Sequence, residues 1–326
     1  MLNVTVLENG HPHRLTDPPD DDALKQAFWI DLEKPTPEER ERVITVTGLH
    51  IPTEAEVSEI EMSARLASRD GVLYLNLPLI NMVDDDATGT PGGFVLTEER
   101  LITIRFAHSR VFAECYDHMQ KGALRPTTAA QAFIGLLEAI VDRQADALER
   151  ASQDLEHISH ATFRMGIGRG EGRKREDAML RRTLGELGRI SDLLAHIRET
   201  QLGVLRIAPY VTTMAAWMPK ELKIHLATIE HDIVSLVDFD KQLSDKLQFL
   251  LDATLGFINI AQNNVMKVMA IASVVGIPPV LIAGVYGMNF KDIPELEWAH
   301  GYLWAWFLII LTTIIPLAAF RWRRWI

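Results

Sequence analysis

Hydrophobic positions along the chain change their period once, near residue 125. Before it they alternate in short runs. Leu73, Leu75, Leu77 and Leu79 fall on one side of residues 72–80, the period-two mark of a half-buried strand. Arg69-Asp70-Gly71 supplies a turn before it. Residues 2–7 and 27–32 also predict strands, and 94–96 with 101–106 a hairpin around Glu98-Glu99-Arg100. Residues 37–47, with Pro and acids in the first turn, predict a helix. Residues 53–67 predict another.

From Thr127 the period is helical. Residues 129–164 and 171–207 predict two long amphipathic helices, and a third starts near Pro219. Along that third helix, positions 222 to 261 taken in alternating steps of four and three give twelve sites. Ten are apolar: Leu222, Leu226, Ile229, Ile233, Leu236, Leu243, Leu247, Leu250, Phe257 and Ala261; Asp240 and Thr254 are the exceptions. Such a seam belongs to helices packed side by side. No Pro interrupts residues 220–277. At 1.5 Å per residue, Pro219 to Tyr286 would extend ~100 Å as one helix.

The third helix runs into residues 268–286, nineteen without a charge, and a second uncharged run of nineteen covers 302–320. A bilayer core of about 30 Å needs roughly 20 apolar residues as a helix, so each run predicts a span. The short polar link between them makes a hairpin, leaving some 265 residues as a water-soluble body.

Composition agrees with this division. Apolar residues make up 48% of the chain and mean hydropathy is +0.04, and the two runs account for much of the excess. Net charge is −11. Residues 266–326 carry five basic against three acidic side chains, which leaves −13 on the body. So acidic a body argues against nucleic acid as a partner and suits one that attracts cations, although solubility alone would also account for it. The single cysteine, Cys115, excludes an intramolecular disulfide and fits a reducing compartment. Residues 1–10 lack the pattern of a signal peptide. Lys267 precedes the first run, and Arg321, Arg323 and Arg324 follow the second. The positive-inside rule then places both termini in the cytoplasm and the link outside.

Several local patterns have plain explanations. The glycines of residues 166–172 superficially match a phosphate loop, but no strand precedes them, so a helix-to-helix turn is expected. His157 and His160 lie one turn apart with no third ligand near in sequence, and read as surface histidines. Asp20-Asp21-Asp22 and Asp84-Asp85-Asp86 are expected in solvated loops. No Ser/His/Asp or Cys/His nucleophile pattern is present, so the protein is not expected to be an enzyme.

The link carries the most specific motif. Tyr286-Gly287-Met288-Asn289-Phe290, followed by Ile293-Pro294-Glu295-Leu296, resembles the YGMNF…MPEL signature of the CorA family of magnesium transporters. The resemblance reaches back through residues 256–263 and forward to the 320–326 tail; Ile293 departs from the family's usual Met. It implies an α+β cytosolic domain, α/β/α sandwich-like, followed by a very long stalk helix and two C-terminal transmembrane helices, assembled as a funnel-shaped homopentamer. The segments would be a cytosolic α/β domain (1–125), a helical hairpin (126–218), the stalk (219–265), the pore-lining span (266–286), the external loop (287–301), the second span (302–320) and a basic tail (321–326).

The resemblance also implies the chemistry: uptake of Mg²⁺, and of Co²⁺ or Ni²⁺ as passengers, through the inner membrane. Gly287, Met288 and Asn289 would form the selectivity filter. Mg²⁺ gives up its water reluctantly, so rings of neutral carbonyl oxygens would hydrogen-bond its hydration shell. A stripe at near-heptad spacing, Asn263, Met266, Ala270, Ser273, Ile277, Val280 and Gly284, is the candidate pore lining; an ordinary helix-packing face is the alternative. Val280 stands where the family often has Thr. Asp292, Glu295 and Glu297 would concentrate cations outside, and Pro278-Pro279 would kink the span as a hinge. With no nucleotide motif and no carboxylate inside either run, the membrane potential is the expected driving force. The family closes on cytosolic Mg²⁺ bound between subunits; Asp232, Asp238, Asp240, Asp245 and Asp252 are candidate sensors, as are Asp84–86. The related zinc-transporting branch is the runner-up, but it often has Val for the Met of GMN and lacks the PEL stretch. A membrane-anchored binding module is the remaining alternative.

Overall fold

The computed structural model describes residues 1–15, 20–59, 65–83, 86–167, 173–289 and 294–323. Two compact units emerge, Met1–Leu251 and Asp252–Ile326.

The first unit is built on a seven-stranded sheet, with strands β1 (Leu2–Glu8), β2 (His11–Leu15), β3 (Trp29–Glu33), β4 (Leu66–Arg69), β5 (Val72–Val83), β6 (Asp86–Leu96) and β7 (Leu101–Arg105). Their order is β2-β1-β3-β7-β6-β5-β4, antiparallel except for the β3/β7 pair. Helices α1 (Asp21–Gln26), α2 (Pro37–Thr47) and α3 (Glu54–Val57) come from the first half of the domain. They are followed by α4 (Arg110–Gln120), α5 (Ala129–Ile167), α6 (Arg173–Met214) and α7 (Lys220–Tyr286). Strand alternation divides the core between two faces. Leu2, Val4, Ile30, Leu32, Ile102 and Ile104 pack with Leu24 of α1 and Val43 of α2. On the other face Leu73, Leu75, Leu77 and Leu79 of β5 meet residues of α4 to α7, among them Phe112, Phe133, Val204 and Ile233. The result is the three-layer α/β/α sandwich expected from the resemblance, continued by a long helix.

That second face also carries a buried polar line from β1, β3 and β7. Asp31 accepts from Arg105 Nη2 at 2.9 Å and Nε at 3.2 Å, from Thr103 Oγ1 at 2.9 Å and from Asn3 Nδ2 at 3.3 Å. Arg105 Nη2 also pairs with Glu33 at 2.7 Å. Burial pushes the Glu33 carboxyl up, but the Arg105 charge and His108 outweigh it and hold it below its ordinary value.

Several boundaries differ from the sequence expectation. The helix expected over 53–67 is the one-turn α3, begun by a Thr53/Glu56 capping box, and the strand β4. β4 pairs antiparallel along the outer edge of β5 across the Asp70-Gly71 turn, so these residues extend the sheet instead of continuing the helix; residues 60–64 lie outside the described residues. β6 starts at Asp86 rather than 94 because Gly89, Pro91, Gly92 and Gly93, which read as a loop, lie in register opposite β5. A Cβ on Gly92 would come within 2.9 Å of the Leu77 carbonyl, so this close approach needs glycine. Asp20 to Asp22 form no loop: Asp20 caps α1 through Ala23 N at 2.8 Å. Asp21 pairs with Arg42 and Asp22 with Lys25. α6 continues through Pro209 to Met214 instead of ending at 207.

The seam of the third helix is borne out as the buried edge of α7. Leu226, Ile229 and Ile233 join the sheet-facing core, and Leu243 and Leu250 pack with Leu148 and Leu155 of α5 and Leu187 and Leu194 of α6.

Candidate functional site

The candidate site begins where α7 ends. The second unit contains the end of α7, the short 3₁₀ turn Pro294–Glu297 and α8 (Gly301–Trp322). Both helices contain windows long and apolar enough to cross a membrane, and neither window is buried. Leucine-rich cores of soluble proteins hide such surface; here Met266, Val280, Leu281, Tyr302 and Leu303 are all exposed. Trp298, Tyr302, Trp304 and Trp306 gather around the start of α8, with Trp304 and Phe307 stacked at 5.6 Å. Trp322 lies at its other end. Aromatic residues at both ends of an apolar helix suit the two interfaces of a bilayer.

Tyr286 is the last residue of α7, and the chain closes it with Gly287 N donating to Ala283 O at 3.0 Å and Met288 N to Val285 O at 3.2 Å. A Cβ on Gly287 would lie 3.0 Å from the Ala283 carbonyl, tighter than side chains normally pack. Glycine thus lets the backbone turn tightly here. Met288 and Asn289 follow, both exposed and outside regular structure. The partial negative charge of a helix C terminus lies at this motif, which favours a cation. On the return, Gly301 N bonds Trp298 O at 3.0 Å, and a Cβ there would collide with the Glu295 carbonyl.

The structure places the seven stripe residues on one helix. Asn263, Met266, Ala270, Ser273, Ile277, Val280 and Gly284 all lie on α7 and all are exposed. Ser273 Oγ donates to the Met269 carbonyl at 2.9 Å, so its donor is spent within the helix and only its lone pairs face outward. Glu295 is partly exposed. Asp292 lies outside the described residues, and so does most of the Asp84–86 triplet; Asp86 opens β6.

The proposed sensors separate into two kinds. Asp232, Asp238, Asp245 and Asp252 are exposed on α7. Asp240 is buried and held by Arg198, with Nη2 at 2.7 Å and Nε at 2.9 Å from Oδ2. Burial raises its carboxyl above the ordinary range, and Arg198 offsets this only in part. Among the described residues no three of His, Cys, Asp and Glu gather closely enough to hold a metal ion. His160 pairs with Glu156 at 3.1 Å, and Lys246 joins that carboxylate at 2.6 Å.

The family model for CorA-like Mg²⁺ transporter proteins matches residues 25–324. The chain belongs to the CorA family. Magnesium transport protein CorA of Pectobacterium atrosepticum is 31% identical over 327 aligned positions, covering the whole of both chains. The CorA protein of Escherichia coli is 30% identical over the same extent. Among solved structures, the complete CorA magnesium transporter of Methanocaldococcus jannaschii superposes with a TM-score of 0.72 at 17% identity, covering 100% of this chain and 99% of that one. Full-length CmaX gives 0.64 at 15% identity, covering 100% and 98%. At such identities the structural likeness speaks for the CorA fold, and the sequence relatives carry the family.

Proposed function

We propose that the chain is a Mg²⁺ channel, working as a homopentamer in the inner membrane with both termini in the cytoplasm. The observation that carries this is Gly287-Met288-Asn289 set on the C-terminal end of an unburied apolar helix, in a chain whose full-length relatives are named magnesium transport proteins. One hairpin cannot enclose water, so several copies must ring an axis. Five Asn289 amides would then offer neutral oxygens to hydrated Mg²⁺, which binds them through its own water. The seven α7 stripe residues would form the neutral wall below, with Ile277 and Val280 able to close it by dewetting. Glu295, with Asp292 and Glu297, would raise the external cation concentration, an effect that salt screens. Co²⁺ and Ni²⁺, divalent ions with similar hydration, would follow. Met288 and Pro294-Glu295-Leu296 favour Mg²⁺ over the zinc branch.

Closure by cytosolic Mg²⁺ would use the exposed acids Asp232, Asp238, Asp245 and Asp252 between neighbouring subunits. Asp240, already neutralised by Arg198, is the weakest of the five for that role. Removing Mg²⁺ from the purified protein should then speed hydrogen exchange in residues 1–251, and unchanged exchange would count against this gate.

Reconstituted protein in liposomes loaded with a Mg²⁺ indicator should admit the ion, and Asn289→Ala should abolish entry. Entry that survives Asn289→Ala with its ion preference intact would overturn the filter. No entry of any divalent ion would leave a membrane-anchored binding protein.

A further inference from the structure

Far in sequence from the membrane hairpin, β2 and the end of α4 enclose a cavity of about 420 Å³. His11, His13 and Arg14 line it from β2, and Tyr116, Lys121 and Arg125 from α4 and the turn after it. Among the described residues lining it, none is Asp or Glu. Gly122, at φ +72°, takes the left-handed conformation that ends α4 and turns the chain back, bringing Lys121 and Arg125 to the same wall.

The cations are held in place to different degrees. Arg14 lies with its guanidinium 3.8 Å above the Tyr116 ring, which itself stacks on Trp29 at 4.8 Å. Arg14 Nη2 donates to Asn3 Oδ1 at 2.8 Å, and Asn3 is tied to Asp31. Arg14 is thereby oriented by the buried polar line of the sheet without forming an ion pair of its own among the described residues. Its Nε is buried and has no acceptor there. Arg125 donates Nε to the Gly122 carbonyl at 3.0 Å, which answers the helix terminus, yet its charge meets no carboxylate among the described residues. Lys121 is partly answered by Asp117 at 2.6 Å.

We propose that this cavity binds a phosphate-bearing anion. Planar Arg donors, one of them fixed by ring stacking and by Asn3, beside Lys121 and two histidines suit a tetrahedral oxyanion, and the volume accommodates phosphate with a small organic substituent. This site is independent of what crosses the membrane.

The test is calorimetric titration of the purified full-length protein in detergent with inorganic phosphate, ATP and sodium chloride at matched ionic strength. Saturable binding of phosphate or ATP, but not chloride, is expected; tighter binding of ATP than of inorganic phosphate would identify an organic phosphate as the ligand. Arg14→Gln should weaken binding at least about tenfold, the loss of one charge-assisted contact. Because Arg14 also braces Asn3, a second variant, Arg125→Gln with His13→Gln, removes two cavity groups that hold no core contact; it should weaken binding as much, with only the small fall in melting temperature that loss of the Gly122 bond brings. Heats equal for all three salts, or binding untouched by the second variant, would overturn the proposal.

Discussion

Asp142 on α5 has Glu138 and Asp146 one turn to either side and Asp232 of α7 nearby. Burial and these three charges push its carboxyl above the ordinary 3.8. A raised folded-state value means that the unfolded chain loses this proton first as pH rises. Stability from this group is therefore intact below pH 3.8, is lost as pH climbs through the folded value, and stays lost at neutrality. Asp142→Asn should raise the unfolding midpoint at pH 7. The gain should shrink in high salt and vanish in acid below 3.8, as a thermal melt across pH would show. Cys115 is shifted in the same direction, with a consequence for reactivity. Burial pushes its thiol up to about 12, so at pH 8 only roughly 10⁻⁴ of it is thiolate, the reactive form. Alkylating reagents should leave the native protein unmodified and label one thiol per chain after denaturation; labelling of the native protein by mass spectrometry would contradict the burial.

At the scale of elements, α7 is where sequence pattern and structure agree most closely, and substitutions can test its register. Leu250 is fully buried and Ile224 is 60% exposed on the same helix. Leu250→Ala should cost about 2–5 kcal/mol, and Ile224→Ala no more than about 0.5 kcal/mol, measured by unfolding of the detergent-solubilised chain. A comparable loss at both would mean the seam is misassigned. The seam was legible because its four-and-three spacing persists over twelve positions, far longer than chance supports. β5 was legible from four leucines at period two. The elements that escaped lacked such a signal. β2, His11–Leu15, is a five-residue polar edge strand containing Pro12, with no apolar alternation to find. α4 did carry a signal, Val111, Phe112, Cys115, Tyr116 and Met119 at helical spacing, which could have located it. The anion cavity combines β2 with α4, residues about a hundred positions apart, and no local pattern predicts that meeting. For the hairpin, the motif and both apolar runs could be read directly, whereas the Arg198 partner of Asp240 required the packed bundle to be seen.

For the whole molecule, the question is what moves a divalent ion across the bilayer. Neither uncharged run, 268–286 nor 302–320, contains an acid, a base or a histidine, so no side chain there can carry a proton in exchange. The described stripe of α7 is uncharged, with apolar side chains, one amide and the hydroxyl of Ser273, and under the proposed reading an ion would follow it downhill. A divalent ion crossing 100 mV gains ~4.6 kcal/mol, twice the ~2.3 of a unit charge. That corresponds to an equilibrium accumulation of roughly 2,000-fold. In liposomes clamped by a potassium gradient and valinomycin, Mg²⁺ entry should rise with an inside-negative potential and stop when the potential is collapsed at equal Mg²⁺ on both sides. A pH gradient without a potential should drive nothing. Accumulation that followed the pH gradient instead would require a proton carrier that the two spans do not contain, and the channel reading would fall with it.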